Sequence, residues 1–161
     1  MKRIEPNNWL GLMGGGQLGR MFSISAQQLG YKIMVIDPNK SAPAIGVANV
    51  HLCSDYSDKS ALNQLAKKCK AVTTEFENVP AESLDFLSRE VIVSPGHQAV
   101  QICQDRILEK NFLKNKNFKT TPFKVIGSYD DFPDQDKDAA FFPGFLKVSR
   151  FGYDGKGLAK V

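Results

Sequence analysis

The stretch Trp9-Leu10-Gly11-Leu12-Met13-Gly14-Gly15-Gly16-Gln17-Leu18-Gly19-Arg20-Met21 reads as a short buried strand that enters a glycine turn and leaves it as a helix. Gly14, Gly16 and Gly19 carry the spacing G-x-G-x-x-G. Absent Cβ atoms there permit a tight turn, a close backbone approach by a ligand, and close packing of helix on strand. The unpaired N–H groups and partial positive charge of a helix start also suit an anion such as phosphate. The same glycines serve equally to pack a strand against a helix with no ligand at all, so both readings stand at this point in the chain.

On the C-terminal side, Leu18, Met21, Phe22, Ala26 and Leu29 recur at helical spacing, and Gly30 stands where a helix stops. These side chains predict one buried stripe. Lys32 to Asp37 follows as a mostly apolar run closed by Pro38, which is how a parallel strand covered on both faces looks. Strand, helix and strand make one right-handed βαβ unit. Further strands are expected at Val50-His51-Leu52-Cys53, Ala71-Val72-Thr73-Thr74 and Val91-Ile92-Val93. Between them lie a helix capped by Ser57 or Asp58 and buried through Leu62, Leu65, Ala66 and Cys69, and a second from Pro80 to Arg89 buried through Leu84 and Leu87. This alternation predicts an α/β fold built on a doubly wound parallel sheet.

From about His97 the character changes. Residues 99–115 are helical in pattern with a break near Asp105, and 118–126 read as an extended segment opening a second, smaller sheet. The acidic stretch 127–144 is expected to hold a short exposed helix, and Phe145 to Val148 and Leu158 to Val161 to form a hairpin. The boundary falls between residues 1–104 and 105–161, and the second part is the start of a small α+β subdomain. With only 161 residues, the chain is expected to be a fragment or truncated product of a longer protein.

Composition narrows the function classes. At 42% hydrophobic residues the chain affords a real core, and its net charge of +4 comes from basic residues scattered among acids. That pattern fits phosphate-bearing small molecules better than nucleic acid. Cys53, Cys69 and Cys103 are far apart among apolar neighbours, which predicts buried free thiols in a reducing cytoplasm. With those cysteines and only two histidines, a zinc site is not expected. No apolar run approaches the roughly 18 residues of a membrane span, and no signal peptide opens the sequence.

Chemistry-bearing residues cluster at three places. Glu75 and Glu77 follow a predicted strand, at the carboxyl edge where open α/β sheets bind ligands, although such glutamates are commonly just solvated loop. Arg106, between Ile102 and Ile107-Leu108, reads by itself as an ordinary exposed side chain. Lys147 lies within an apolar strand, and Ser149-Arg150-Phe151-Gly152-Tyr153-Asp154-Gly155-Lys156-Gly157 follows as a charged glycine turn. A lysine there snorkels to water or meets an anion, and the turn with Arg150 and Lys156 favours a phosphate cradle over a plain surface hairpin.

Three motifs in order, Gly14-Gly15-Gly16-Gln17-Leu18-Gly19-Arg20-Met21, Glu75-Phe76-Glu77-Asn78-Val79-Pro80, and Lys147 with Gly152-Tyr153-Asp154-Gly155-Lys156-Gly157, resemble the ATPase subunits of phosphoribosylaminoimidazole carboxylase. These are the 5-(carboxyamino)imidazole ribonucleotide synthases, ATP-grasp ligases of purine biosynthesis. The resemblance implies a Rossmann-like pre-ATP-grasp domain followed by the opening of the ATP-grasp domain. It implies a reaction of 5-aminoimidazole ribonucleotide with bicarbonate, driven by ATP through carboxyphosphate and assisted by Mg²⁺, in a cytoplasmic homodimer. Gly16, Gln17, Leu18 and Glu75 match positions that hold the ribonucleotide. Arg106, Lys147 and the loop Gly152, Tyr153, Asp154, Gly155, Lys156, Gly157 and Leu158 match positions that meet ATP. Tyr153, Asp154 and Lys156 would also meet the ribonucleotide from the other side of a cleft, as the catalytic set.

Two departures stand out. The family has Gly-Gly-Tyr-Asp-Gly where this chain begins the motif with Phe151, and Leu158 replaces a common glutamine. The acidic metal ligands and adenine pocket of an ATP-grasp fold belong to later sequence, so the 161-residue chain alone is expected to turn over no ATP. Two other classes compete: the NAD(P)-binding domain of an oxidoreductase, with Asp37 placed to bind a ribose hydroxyl, and a non-catalytic nucleotide-binding module.

Overall fold

The computed structural model describes residues 3–135, 137–152 and 155–161. They fall into two compact units, one ending at Gln101 and the other starting at Ile102.

The first unit is a parallel sheet with helices on both faces. Its strands are β1 (Trp9–Met13), β2 (Lys32–Ile36), β3 (Val50–Leu52), β4 (Ala71–Thr74) and β5 (Ile92–Val93), in the spatial order β3-β2-β1-β4-β5. Successive side chains of a strand point to opposite faces. Met13, Met34 and Ile36 therefore pack on one side with Leu62 and Leu65 of α2 (Lys59–Lys68) and Leu84 and Leu87 of α3 (Ala81–Ser88). Leu12, Ile33 and Val35 pack on the other with Ala26 of α1 (Gln17–Gln28). Each fully buried Leu or Ile contributes about 1.5–3 kcal/mol. Asp58 caps α2, its Oδ1 accepting from the N–H groups of Ser60 at 2.7 Å and Ala61 at 3.2 Å.

The expected stripe of α1 holds at Ala26, which is buried, and at Phe22, which packs half-buried against the same cluster, but fails at Leu18, Met21 and Leu29. Leu18, Met21 and Leu29 are 64%, 57% and 68% exposed, while Gly19, Ser23 and Ala26 are buried. The first turns of the helix lie so close to the sheet that Gly19 leaves no room for a side chain. A Cβ on Gly19 would stand 2.7 Å from the carbonyl oxygen of Gly14 and 3.1 Å from Leu12 Cδ2. The cysteines also depart from expectation: Cys69 is buried, its thiol pushed up to about 12 by that burial, but Cys53 and Cys103 are exposed. Both stand just past the end of, or in the last turn of, an element, where one face is open.

A short helix α4 (His97–Cys103) leads into the second unit, and the expected break falls at Gln104 and Asp105, before α5 (Arg106–Asn115). Strands β6 (Phe145–Lys147) and β7 (Leu158–Lys160) pair antiparallel, with Lys147 opposite Leu158. Residues 118–126 form no strand, and the acidic stretch holds two single 3₁₀ turns, Tyr129–Asp131 and Ala139–Phe141, in place of a helix. Pro122 removes a donor from any ladder, and Pro133 and Pro143 interrupt helical bonding. No residue of α5, β6 or β7 is buried.

Candidate functional site

In the first unit the chain builds outward from β1 through β2 to β3, then returns to the other side of β1 as β4. Such a reversal opens a crevice at the carboxyl ends of the two strands that flank it, here β1 and β4. The last ladder bonds bring their ends together. The N–H of Glu75 donates to Met13 O at 3.1 Å, and the N–H of Gly14 to Ile36 O at 3.0 Å. Gly14 turns the chain with φ +104°, a conformation open to glycine, and a Cβ there would meet Glu75 Cγ at 2.5 Å.

Glu75 reaches back across this crevice. Its Oε1 accepts from the N–H of Gly16 at 2.7 Å, and its Oε2 accepts from the N–H of Gly19. The carboxylate thus occupies the positive helix start that the glycine spacing offers to an anion. Each oxygen keeps a lone pair for a further donor. Asp37 grips the same turn from the side of β2, with Oδ2 accepting from Gly15 N–H at 2.7 Å and from the Tyr56 hydroxyl at 3.0 Å, and Oδ1 from Asn39 N–H at 2.7 Å. The turn therefore presents carboxylates at its edge, so it suits hydrogen-bond donors of a ligand better than a phosphate. Asp37, named above only for a competing dinucleotide reading, already has three protein donors.

Gly16 is half-buried, Gln17 and Leu18 are exposed at the first residues of α1, and Glu75 is half-buried beside them. All four expected ribonucleotide positions share one edge of the sheet, and the solvated-loop reading of Glu75 is replaced by a tie across 59 residues. Tyr56 and Phe76 were not singled out from the sequence. Their rings meet edge to face with centroids 5.5 Å apart. Phe76 follows Glu75 directly, and Tyr56 has no signal of its own in the polar segment before α2. Burial first, then the charge of Asp37, raises the Tyr56 hydroxyl well above its ordinary value.

In the second unit the exposed Arg106 opens α5, and its N–H donates to Ser149 O at 2.9 Å, beside the end of β6. Asp105 caps α5 through Oδ1, at 2.8 Å from Ile107 N, while its Oδ2 receives Arg150 Nε at 3.1 Å. Arg150 is therefore committed to a structural tie, and its hydrogen bond is the first cause holding the Asp105 carboxyl below the usual range. Lys147 is exposed on β6 and forms no salt bridge among the described residues. Gly152, Gly155, Lys156, Gly157 and Leu158 are exposed around the hairpin, closed by Val148 N–H on Gly157 O at 2.9 Å. Tyr153 and Asp154 lie outside the described residues. Among the described residues no group of three or more His, Cys, Asp or Glu is disposed to hold a metal ion, and no helix is long and apolar enough to cross a membrane.

Comparison with known proteins gives these features a context. The family described as ribonucleotide synthetase preATP-grasp domain matches residues 8–104. An N5-carboxyaminoimidazole ribonucleotide synthase of Staphylococcus aureus is 41% identical over 152 residues, covering 94% of this chain and 40% of the relative. The crystal structure of N5-carboxyaminoimidazole synthetase from Staphylococcus aureus complexed with ADP superposes with a TM-score of 0.88 at 38% identity, over 100% of this chain and 43% of that one. A synthase of Aspergillus clavatus, in complex with ADP and 5-aminoimidazole ribonucleotide, gives a TM-score of 0.72 at 25% identity, over 96% of this chain and 40% of that one. The chain spans about two fifths of the length of the curated relatives it matches.

Proposed function

This chain belongs to the family of the ribonucleotide synthetase preATP-grasp domain, and from that premise we propose that it is the N-terminal part of an ATP-dependent ligase. The ligase carboxylates 5-aminoimidazole ribonucleotide with bicarbonate, giving 5-(carboxyamino)imidazole ribonucleotide for purine biosynthesis. The observation that carries this reading is the Glu75 carboxylate seated on the glycine turn at the sheet's reversal point, in a chain similar to such synthases over 94% of its length. Residues 1–104 form the pre-ATP-grasp domain and 105–161 the beginning of the ATP-grasp domain.

In the reaction a bicarbonate oxygen attacks the γ-phosphorus of ATP and ADP leaves, giving carboxyphosphate. The amine of the ribonucleotide then attacks the carboxyl carbon, or carbon dioxide released from it. The bond to phosphate breaks and the amine gives up a proton. Gly16, Gln17, Leu18 and Glu75 hold the ribonucleotide, whose hydrogen-bond donors meet the lone pairs Glu75 retains. Arg106 and Lys147 hold ATP, with Lys147 placing an ammonium on its phosphates. The loop from Gly152 through Gly155, Lys156 and Gly157 to Leu158 meets the nucleotide, excluding water from a labile intermediate, and Tyr153, Asp154 and Lys156 are the catalytic set that the family resemblance implies. Among the described residues no group of three or more His, Cys, Asp or Glu could hold Mg²⁺. A cytoplasmic homodimer is the setting this reading implies.

Release of ADP by the full-length protein tests it. Release should require both 5-aminoimidazole ribonucleotide and bicarbonate, and the 161-residue chain by itself should turn over no ATP. ADP release indifferent to the ribonucleotide, or a saturable fluorescence change with NADH, would overturn it.

A further inference from the structure

We propose that Asp37 and Tyr56 are a positioning pair: they hold the glycine turn and, through the ring of Phe76, fix the place of the Glu75 carboxylate, without touching the ligand themselves. The inference rests on the reading of the ribonucleotide site given above.

Gly15 is pinned at both of its polar backbone atoms. Its N–H donates to Asp37 Oδ2 at 2.7 Å, and its carbonyl accepts from Ala44 N–H at 2.8 Å. Asp37 is only 7% exposed. A buried carboxylate is costly unless donors surround it. Here the donors come from three separate segments: the turn through Gly15, the loop after β2 through Asn39, and the segment before α2 through Tyr56. One side chain thus adds a buried tie to the strand and loop bonds that already bring these pieces of chain together.

Tyr56 extends the tie to the other strand. Its hydroxyl remains protonated at neutral pH and donates to Asp37, while the edge of its ring system meets Phe76 at an interplanar angle of 62°. The Phe76 ring in turn lies against the turn, since a Cβ on Gly14 would come within 3.0 Å of Phe76 Cδ1. Its carbonyl is held by the Thr74 hydroxyl at 2.8 Å. Contacts therefore run from Gly15 to Asp37, Tyr56, Phe76 and Glu75, and return to the turn at Gly16. Rigid support of this kind matters because displacing a binding group by a fraction of an ångström weakens every hydrogen bond it makes. Loosening Asp37 or Tyr56 should therefore be felt at Glu75, on the far side of the turn.

Steady-state kinetics of the full-length protein carrying Tyr56→Phe, Asp37→Asn or Glu75→Gln, with thermal unfolding alongside, tests the pair. Tyr56→Phe keeps the ring against Phe76 and removes only the hydroxyl, so it decides the matter if Asp37→Asn fails to fold. The KM for 5-aminoimidazole ribonucleotide should rise about five- to ten-fold in Tyr56→Phe and Asp37→Asn, with the KM for ATP changed by less than about two-fold. A pair with a purely structural role would lower the unfolding midpoint and leave both KM values in place, and that outcome overturns the proposal. If Glu75→Gln raises the ribonucleotide KM while Tyr56→Phe and Asp37→Asn do not, the positioning pair alone is refuted. If Glu75→Gln also leaves that KM unchanged, the reading of the site falls with it.

Discussion

Glu75 Oε1 stands 2.7 Å from the amide nitrogen of Gly16, so the residue just after β4 closes the turn that begins α1. A glutamine there keeps one acceptor and presents an amide donor to a backbone donor. Glu75→Gln should lower stability by about 1–3 kcal/mol, the cost of leaving a buried donor without its charged partner. It should weaken the ribonucleotide while sparing ATP. Denaturant unfolding and titration with each ligand measure the two effects separately.

Gly19 has no room for a side chain, because the obstacle at 2.7 Å is the Gly14 carbonyl, a backbone atom that cannot turn aside. Alanine ordinarily favours a helix by about 1 kcal/mol over glycine. Here Gly19→Ala should destabilise the protein by about 1–3 kcal/mol. The urea midpoint should fall with its slope unchanged, which separates a packing clash from altered compactness.

Phe151 holds φ +58° while 73% exposed, so its ring gains little burial to offset a backbone that L residues avoid. Phe151→Gly should stabilise the hairpin by about 1 kcal/mol. The amide of Val148, which donates to Gly157 O at 2.9 Å, reports it through hydrogen exchange slowed about five-fold.

Asp105 and Arg150 make an acid-sensitive tie. The Asp105 carboxyl is lowered, first by the Arg150 hydrogen bond and further by the Ile107 and Leu108 amides. A depressed folded-state value contributes stability that is complete above the unfolded value of about 3.9 and is lost as pH falls through the folded value. A carbon-detected titration should place the Asp105 midpoint below the ordinary aspartate range. In Arg150→Gln the midpoint should move upward, and an unmoved midpoint would show that the guanidinium is not its cause.

Lys147 carries the nucleotide side of the proposed reaction. Lys147→Ala should weaken ATP by about ten- to a hundred-fold, as expected for loss of a charge-assisted contact worth about 1.5–3 kcal/mol. Binding of the ribonucleotide should be unaffected. Equilibrium titration with a fluorescent ATP analogue checks the first point, and calorimetry with 5-aminoimidazole ribonucleotide the second.

Much of the fold was legible because its signals are local. Ile33 to Ile36 is a continuous apolar run, and all four side chains are buried, two on each face of the sheet. Of the two caps the sequence offered, Ser57 and Asp58, it is Asp58 that makes the bonds, and the break before α5 fell beside Asp105. The buried face of α1 was only partly legible: Ala26 and Phe22 were read from the spacing, but hydrophobicity also pointed to Leu18, Met21 and Leu29, whereas close approach selects Gly19 and Ser23. Residues 118–126 carried extended propensity but found no strand to pair with, and a strand exists only through its partner. At the site, the glycine turn and Glu75 were visible separately. Their bond was not, nor were Tyr56 and Phe76.

By itself the amino-acid order determined that strands and helices alternate, that β2 is buried on both faces, and that a glycine turn begins the first helix. Periodicity and turn chemistry act over a few residues, so they can be read without knowing the fold. Only the tertiary structure decided that β4 lies on the far side of β1 from β2. Strand order depends on pairing between segments distant in the chain, and that pairing carries the Glu75 carboxylate to the amides of Gly16 and Gly19 and turns an open anion cradle into one already filled by the protein itself.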